Sequence, residues 1–179
     1  PVLDEKATLA PLVQAIRGVA ADRLDGAAVE IILVDDGSRD GSWAEMRRLA
    51  AADADVRACR LRRNFGKAAA LAVGSELARG DILVTMDADL QDDPDELPRF
   101  VAKLGEGYDL VSGWKENRND PLGKTLPSRF FNAVTRAMTR LDLHDFNCGF
   151  KAARREVYRD ISLYGELHRY IPVLADSLG

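Results

Sequence analysis

Cysteine is scarce in this chain. Cys59 and Cys148 lie far apart, with no Cys-x-x-Cys spacing. That excludes a thiolate zinc framework and a disulfide scaffold, and predicts reduced thiols in a cytosolic setting. Positive charge is not in excess either. Twenty-five Lys and Arg against 29 Asp and Glu leave a net charge of −4, which argues against a nucleic-acid partner, normally marked by a basic stripe. No apolar run approaches the roughly 18 residues needed to cross a bilayer, and there is no signal peptide. A GxGxxG fingerprint and a P-loop are both missing, so neither a dinucleotide nor ATP is indicated. His144 and His168 are too far apart to form a zinc pair. The chain starts at Pro1 without a methionine and stops at Gly179 inside an apolar pattern, and is read as a piece of something longer.

What is present fits one soluble domain. Hydrophobic residues make up 46% and charged residues 30% of 179 positions, enough to bury a real core. Short β-branched runs at 29–34, 56–61, 81–86 and 109–113 read as strands. Between them, apolar residues at three- and four-residue spacing predict helices at about 9–21, 42–52, 67–78 and 95–104. Asp40 and Asp93 stand where caps belong, and Pro94 suits the first turn of its helix. Such alternation predicts an α/β fold with a mostly parallel central sheet flanked by helices. The rhythm breaks after Gly113. Residues 114–127 read as a polar, basic loop, 128–141 as an amphipathic helix, and 150–178 as a short strand and two helices.

In a parallel sheet, ligands bind beyond the carboxyl ends of the strands, and three unusual loops fall there. Asp87-Ala88-Asp89, with Gln91, Asp92 and Asp93 behind it, closes the third strand. Two carboxylates two residues apart can reach one Mg²⁺ or Mn²⁺ and leave positions open for phosphate oxygens. An EF-hand fails, because its sixth position would be Asp92 and its twelfth Pro98. A capping acidic turn remains the plain alternative. Asp35-Asp36-Gly37-Ser38 is either an Asx-type turn or a carboxylate that accepts from a nucleobase. Arg63-Asn64-Phe65-Gly66-Lys67 opens a helix whose N-terminus attracts phosphate; its alternative is a solvated basic cap. A receiver-type signalling domain also uses an acidic pair, a later Asp and a Lys, but needs only about 120 residues and has no use for Asp89.

In order and spacing, PVLDE, VDDGSRDGS, RNFGKAAAL, MDADLQDDP and HDFNCGFKA together resemble the family 2 glycosyltransferases of the GT-A, Rossmann-like fold. The similarity is greatest to the branch with dolichol-phosphate mannose synthase and bacterial polyprenyl-phosphate glycosyltransferases. The resemblance covers nearly the whole chain. It implies a single catalytic domain over 1–179, lacking the family's first strand and any C-terminal membrane segment. It implies that Pro1, Leu3 and Glu5, with Asp36, hold the base and ribose, although Leu3 replaces the usual aromatic and Asp4 the usual Asn. Lys67 and Ala88 would lie along the nucleotide sugar, and Asp87, Asp89 and Gln91 would hold Mg²⁺ or Mn²⁺ on the diphosphate.

The reaction so implied is inverting transfer of a hexose from a GDP- or UDP-sugar to a dolichyl or undecaprenyl phosphate, at the cytoplasmic face of a membrane. A phosphate monoester has a second pKa of about 6, so at neutral pH it needs cations to position it more than a base to activate it. Arg118, Lys124 and Arg129 are the candidate acceptor cations, with Arg129 a catalytic candidate because a guanidinium fork matches phosphate. Phe130, Phe131, Val134 and Met138 would form an apolar stripe for the first isoprenes, or belong to the core. Asp145 is a candidate base or orienter, and Arg169 a further acceptor contact. A saccharide acceptor and a catalytically idle nucleotide-binding relative are the competing readings.

Overall fold

The structure is a computed structural model that describes residues 1–114, 148–161 and 167–178. Strand β1, Ile31–Asp35, pairs in parallel with β2, Val56–Arg60, in a register that sets Ile31 opposite Val56 and Asp35 opposite Arg60. Helix α2, Ser42–Ala52, connects them. On the other edge of β1 the first residues add a parallel bridge: Val2 N–H donates to Val34 O at 2.8 Å, and Asp36 N–H to Val2 O at 2.9 Å. Helix α1, Lys6–Arg23, follows. It starts earlier than its apolar spacing predicts because Lys6 N–H donates to the Asp40 carboxylate at 3.0 Å and Glu5 N–H to Ser42 Oγ at 2.9 Å.

Helix α3, Lys67–Leu77, leads to β3, Ile82–Thr85. A 3₁₀ turn at Pro94–Glu96 then enters α4, Leu97–Gly105, and Asp93 caps that turn by accepting from Asp95 N–H at 3.0 Å. Strand β4 is Leu110–Ser112 and β5 is Lys151–Arg154; α5, Arg155–Asp160, a 3₁₀ turn at Leu167–Tyr170 and α6, Ile171–Leu178, complete the described elements. The predicted loop 114–127 beyond Trp114 and the predicted helix 128–141 lie outside the described residues.

The α/β architecture is as expected, but among the described residues the strands form two sheets where a single mostly parallel one was expected: β1 pairs with β2 in parallel, and β3, β5 and β4 make the second. β5 inserts between β3 and β4 and runs antiparallel to both. Strand direction is not written in side-chain periodicity, since a strand buried on both faces reads as a continuous apolar run in either sense. β5 is such a strand. Ala152 and Ala153 are both fully buried, and being successive they face opposite sides of the sheet. Ala152 packs with Phe100, Leu104 and Phe150, and Ala153 with Leu83, Tyr158 and Ile171. Phe100 stacks on Phe150 with centroids 4.4 Å apart, a pairing that contributes about 0.5–1.5 kcal/mol beyond the area it buries. A third cluster joins Leu9, Leu12, Leu33, Met46 and Ala88 under α1 and α2.

Candidate active site

The motifs meet through a continuous series of contacts. Asp36, at the end of β1, is nearly fully buried. Its Oδ1 accepts from Phe65 N–H at 2.7 Å and its Oδ2 from Gly66 N–H at 2.9 Å. The DDGS loop therefore holds the RNFGK loop in place. Gly37 makes the approach possible: its φ is +86°, and a Cβ there would lie 2.7 Å from Asn64 N. No other residue type combines that backbone with that space. Asp35 is fully buried, accepts from Ser38 N–H at 2.8 Å, and has Arg60 Nε 3.0 Å from its other oxygen.

The PVLDE segment closes on the same loops. Asp4 N–H donates to Ser38 Oγ at 3.0 Å, and Asp4 Oδ1 accepts from Arg39 N–H at 2.7 Å. Leu3 is left exposed, and Glu5 is half-buried with its carboxylate accepting from Thr8 Oγ1 at 3.0 Å. Pro1 is half-buried, next to Val2 in its bridge to β1.

Lys67, at the first position of α3, places Nζ 2.5 Å from Asp87 Oδ1 and 2.8 Å from Oδ2. Asp87 N–H donates to Asp92 Oδ2 at 3.1 Å, and Gln91 N–H donates to Asp89 Oδ1 at 3.0 Å. Buried Ala88 sits between the two aspartates, and Leu90, at φ +62°, turns the chain sharply outward. The Gln91 side chain is exposed. Among the described residues no three His, Cys, Asp or Glu side chains gather in one metal site. Asp87 and Asp89 are the hard-oxygen candidates at this turn, a ligand type that suits Mg²⁺ or Mn²⁺.

The antiparallel return of β5 adds a part that spacing alone did not reveal. Thr85 and Lys151 are opposite each other in the ladder, so Gly149, two residues before Lys151, comes to face Asp87, two residues after Thr85. A Cβ at Gly149 would lie 2.5 Å from Asp87 Oδ2 and 2.8 Å from Lys67 Nζ. Thr85 Oγ1 donates to Gly149 O at 2.8 Å. Tyr158, whose hydroxyl is pushed up to about 12 by burial, reaches Thr85 Oγ1 at 3.5 Å. Gly149, Thr85 and Lys151 were not singled out from sequence. The available signal was a lysine inside an otherwise apolar strand. Arg169 is exposed on the turn before α6, two residues from Ile171, which lines a small cavity with Lys67. Arg118, Lys124, Arg129, Asp145 and the stripe Phe130, Phe131, Val134 and Met138 lie outside the described residues.

Because both Asp36 oxygens accept backbone N–H groups, Asp36→Asn must turn its NH₂ toward one of them. We expect a stability loss of about 1–3 kcal/mol from the bond so broken, read from the urea midpoint. An unchanged midpoint would show that the carboxylate is not a latch.

The family model described as "Glycosyl transferase family 2" matches residues 1–162. An "undecaprenyl-phosphate 4-deoxy-4-formamido-L-arabinose transferase" of Pseudomonas paraeruginosa is 42% identical over 180 residues, covering 99% of this chain and 52% of the relative. A "dodecaprenyl-phosphate galacturonate synthase" of Rhizobium johnstonii is 38% identical over 175 residues, covering 96% of this chain and 51% of the relative. The chain thus spans about half the length of either. Among solved structures, glucosyl-3-phosphoglycerate synthase of Mycobacterium tuberculosis with Mn²⁺ and UDP-glucose superposes with a TM-score of 0.73 at 27% identity, covering 99% of this chain and 62% of that one. The same synthase has been solved with phosphoglyceric acid, at a TM-score of 0.73.

Proposed function

The chain belongs to glycosyl transferase family 2, and from that membership we propose that it moves a sugar from a UDP-sugar to a polyprenyl phosphate at the cytoplasmic face of a membrane. The observation that carries the donor half is the run of contacts from Asp36 through Gly66 and Lys67 to Asp87. It sets a buried acidic anchor, a lysine and a paired carboxylate along one loop edge. The acceptor half is supported by the two relatives, an undecaprenyl-phosphate transferase and a dodecaprenyl-phosphate galacturonate synthase. Among the described residues no helix is long and apolar enough to cross a membrane.

The sugar proposed is a pentose, 4-deoxy-4-formamido-arabinose, after the more similar of these two relatives. That replaces the hexose expected from sequence. The motifs report on the metal and the diphosphate and carry no information on the ring, which is why they could not choose.

Transfer breaks the bond from the anomeric carbon to the β-phosphate oxygen and forms one to an oxygen of the acceptor phosphate, with inversion. The incoming dianion needs no proton removed. In this reading Asp87 and Asp89 would hold Mn²⁺ or Mg²⁺, whose Lewis acidity stabilises the departing diphosphate. Lys67 adds a positive charge beside it and shares Asp87, the charge balance that electrostatic catalysis of this kind requires. Asp36 keeps Lys67 in place through the loop it latches. Arg118, Lys124 and Arg129 are proposed to position the acceptor phosphate, Arg169 to assist them, and Asp145 to orient the acceptor.

The test is a donor and acceptor screen on the full-length protein with Mn²⁺. UDP-formamido-arabinose, UDP-galacturonate, UDP-glucose and GDP-mannose are offered with undecaprenyl phosphate, 3-phosphoglycerate or no acceptor. The expected product is the formamido-arabinosyl lipid. Turnover confined to 3-phosphoglycerate would instead favour a soluble phosphate acceptor, as in the mycobacterial synthase solved with phosphoglyceric acid.

A further inference from the structure

We propose that Lys151 is a positioning residue for the metal-binding turn: its ammonium, tied to the Cys148 carbonyl, holds Gly149 against Asp87 and thereby fixes that carboxylate for the cation. The inference rests on the reading that Asp87 and Asp89 take a divalent ion.

Lys151 is 2% exposed, between Phe150 and Ala152 in a strand packed on both faces. A buried ammonium is costly unless hydrogen-bonded, and an apolar side chain of similar length would fill the place at lower cost. One of its contacts reaches the site. Lys151 Nζ donates to the carbonyl of Cys148, three residues back. Thr85, its partner across the ladder, donates to the next carbonyl, that of Gly149, at 2.8 Å. Two successive carbonyls are thus held by two paired side chains. Between them the chain lies so close to Asp87 and Lys67 that a Cβ at Gly149 would require the Asp87 carboxylate and the Lys67 ammonium to move. Thr85, Gly149, Lys151 and Lys67 also line one small cavity. Asp87 is therefore confined on one side by Lys67 and on the other by the backbone of Gly149. Losing the Lys151 tether frees that backbone to retreat and gives Asp87 alternative rotamers.

The experiment measures Mn²⁺ binding by electron paramagnetic resonance in the presence of UDP. It compares the wild type with Lys151→Met, which removes the donor at similar side-chain length, and with Thr85→Val, which removes the hydroxyl. The metal-free affinity for UDP is measured alongside. Wild type should bind Mn²⁺ in a UDP-dependent manner. Both variants should bind it fivefold or more weakly while metal-free UDP affinity is unchanged. A merely structural role predicts the opposite pattern, in which both affinities fall together, and that outcome or an unchanged Mn²⁺ affinity would overturn the proposal. Should Lys151→Met give no cooperative melting transition, Thr85→Val decides alone. A wild type that binds no Mn²⁺ with UDP overturns the metal reading itself, and this inference with it; failure seen in the variants alone overturns only the inference.

Discussion

Replacing Asp89 by Asn should lower glycosyl transfer by a hundredfold or more while the protein melts within a few degrees of wild type. The fold should survive because Asp89 is only half-buried and its Oδ1 accepts from Gln91 N–H. The amide oxygen of Asn accepts that bond equally well. What Asn cannot supply is charge. With Asp87 already shared with Lys67, Asp89 is the carboxylate freer to offset a divalent ion. Altering residues that merely support metal ligands typically costs 10–100-fold in metal affinity or activity, so loss of a ligand's charge should cost at least the upper figure. The check is an initial rate together with calorimetry of UDP in Mn²⁺ and in chelator. Wild type should bind UDP more tightly with metal, and the variant should bind it about equally in both. An Asn variant within threefold of wild-type rate would remove Asp89 from the metal site.

Gly149→Ala should be nearly as damaging, again in a folded protein. The backbone of Gly149 is not in the left-handed region, so alanine is not strained there by its own conformation. The conflict is with the site. The new methyl would stand 2.5 Å from Asp87 Oδ2 and 3.0 Å from Asp87 Cγ, against the 3.5–4.0 Å at which non-bonded heavy atoms are comfortable. Asp87 is short and held by Lys67, so giving way means loosening that ion pair. The alternative, moving β5 off β3, would break the Thr85–Gly149 bond and the ladder beside it. A displacement of about 1 Å at a reacting centre can cost about a hundredfold in rate. Transfer should fall by roughly that factor, with weaker Mn²⁺ binding and a normal circular-dichroism spectrum. Wild-type kinetics in this variant would show that Gly149 does not shape the carboxylate.

Much of this site was legible in the sequence because its parts are local. Helix α2 begins and ends where its periodicity places it, at Ser42 and Ala52, and Asp93 caps the turn expected of it. The three loops at the strand ends converge because an alternating α/β chain must put them on one edge. Two things were not legible. Periodicity does not encode strand direction, so the antiparallel insertion of β5, and with it the contact of Gly149 on Asp87, could not be deduced from Phe150 to Arg154 alone. A carboxylate after a strand also does not announce its partner. Asp36 suits a nucleobase and a backbone turn equally by composition, and only the fold reveals that both of its oxygens accept from Phe65 and Gly66.

Lipid-phosphate and metal dependence are read together in a single partition assay on the full-length protein. Radiolabelled sugar is supplied as its UDP conjugate, and label is counted in the organic phase after incubation with undecaprenyl phosphate or neutral undecaprenol, with Mn²⁺ or with chelator. Label is expected in the organic phase only when the lipid phosphate and the metal are both present, and should be lost on Asp89→Asn. Equal labelling of the neutral alcohol, or undiminished labelling of the lipid phosphate in chelator, would contradict that expectation.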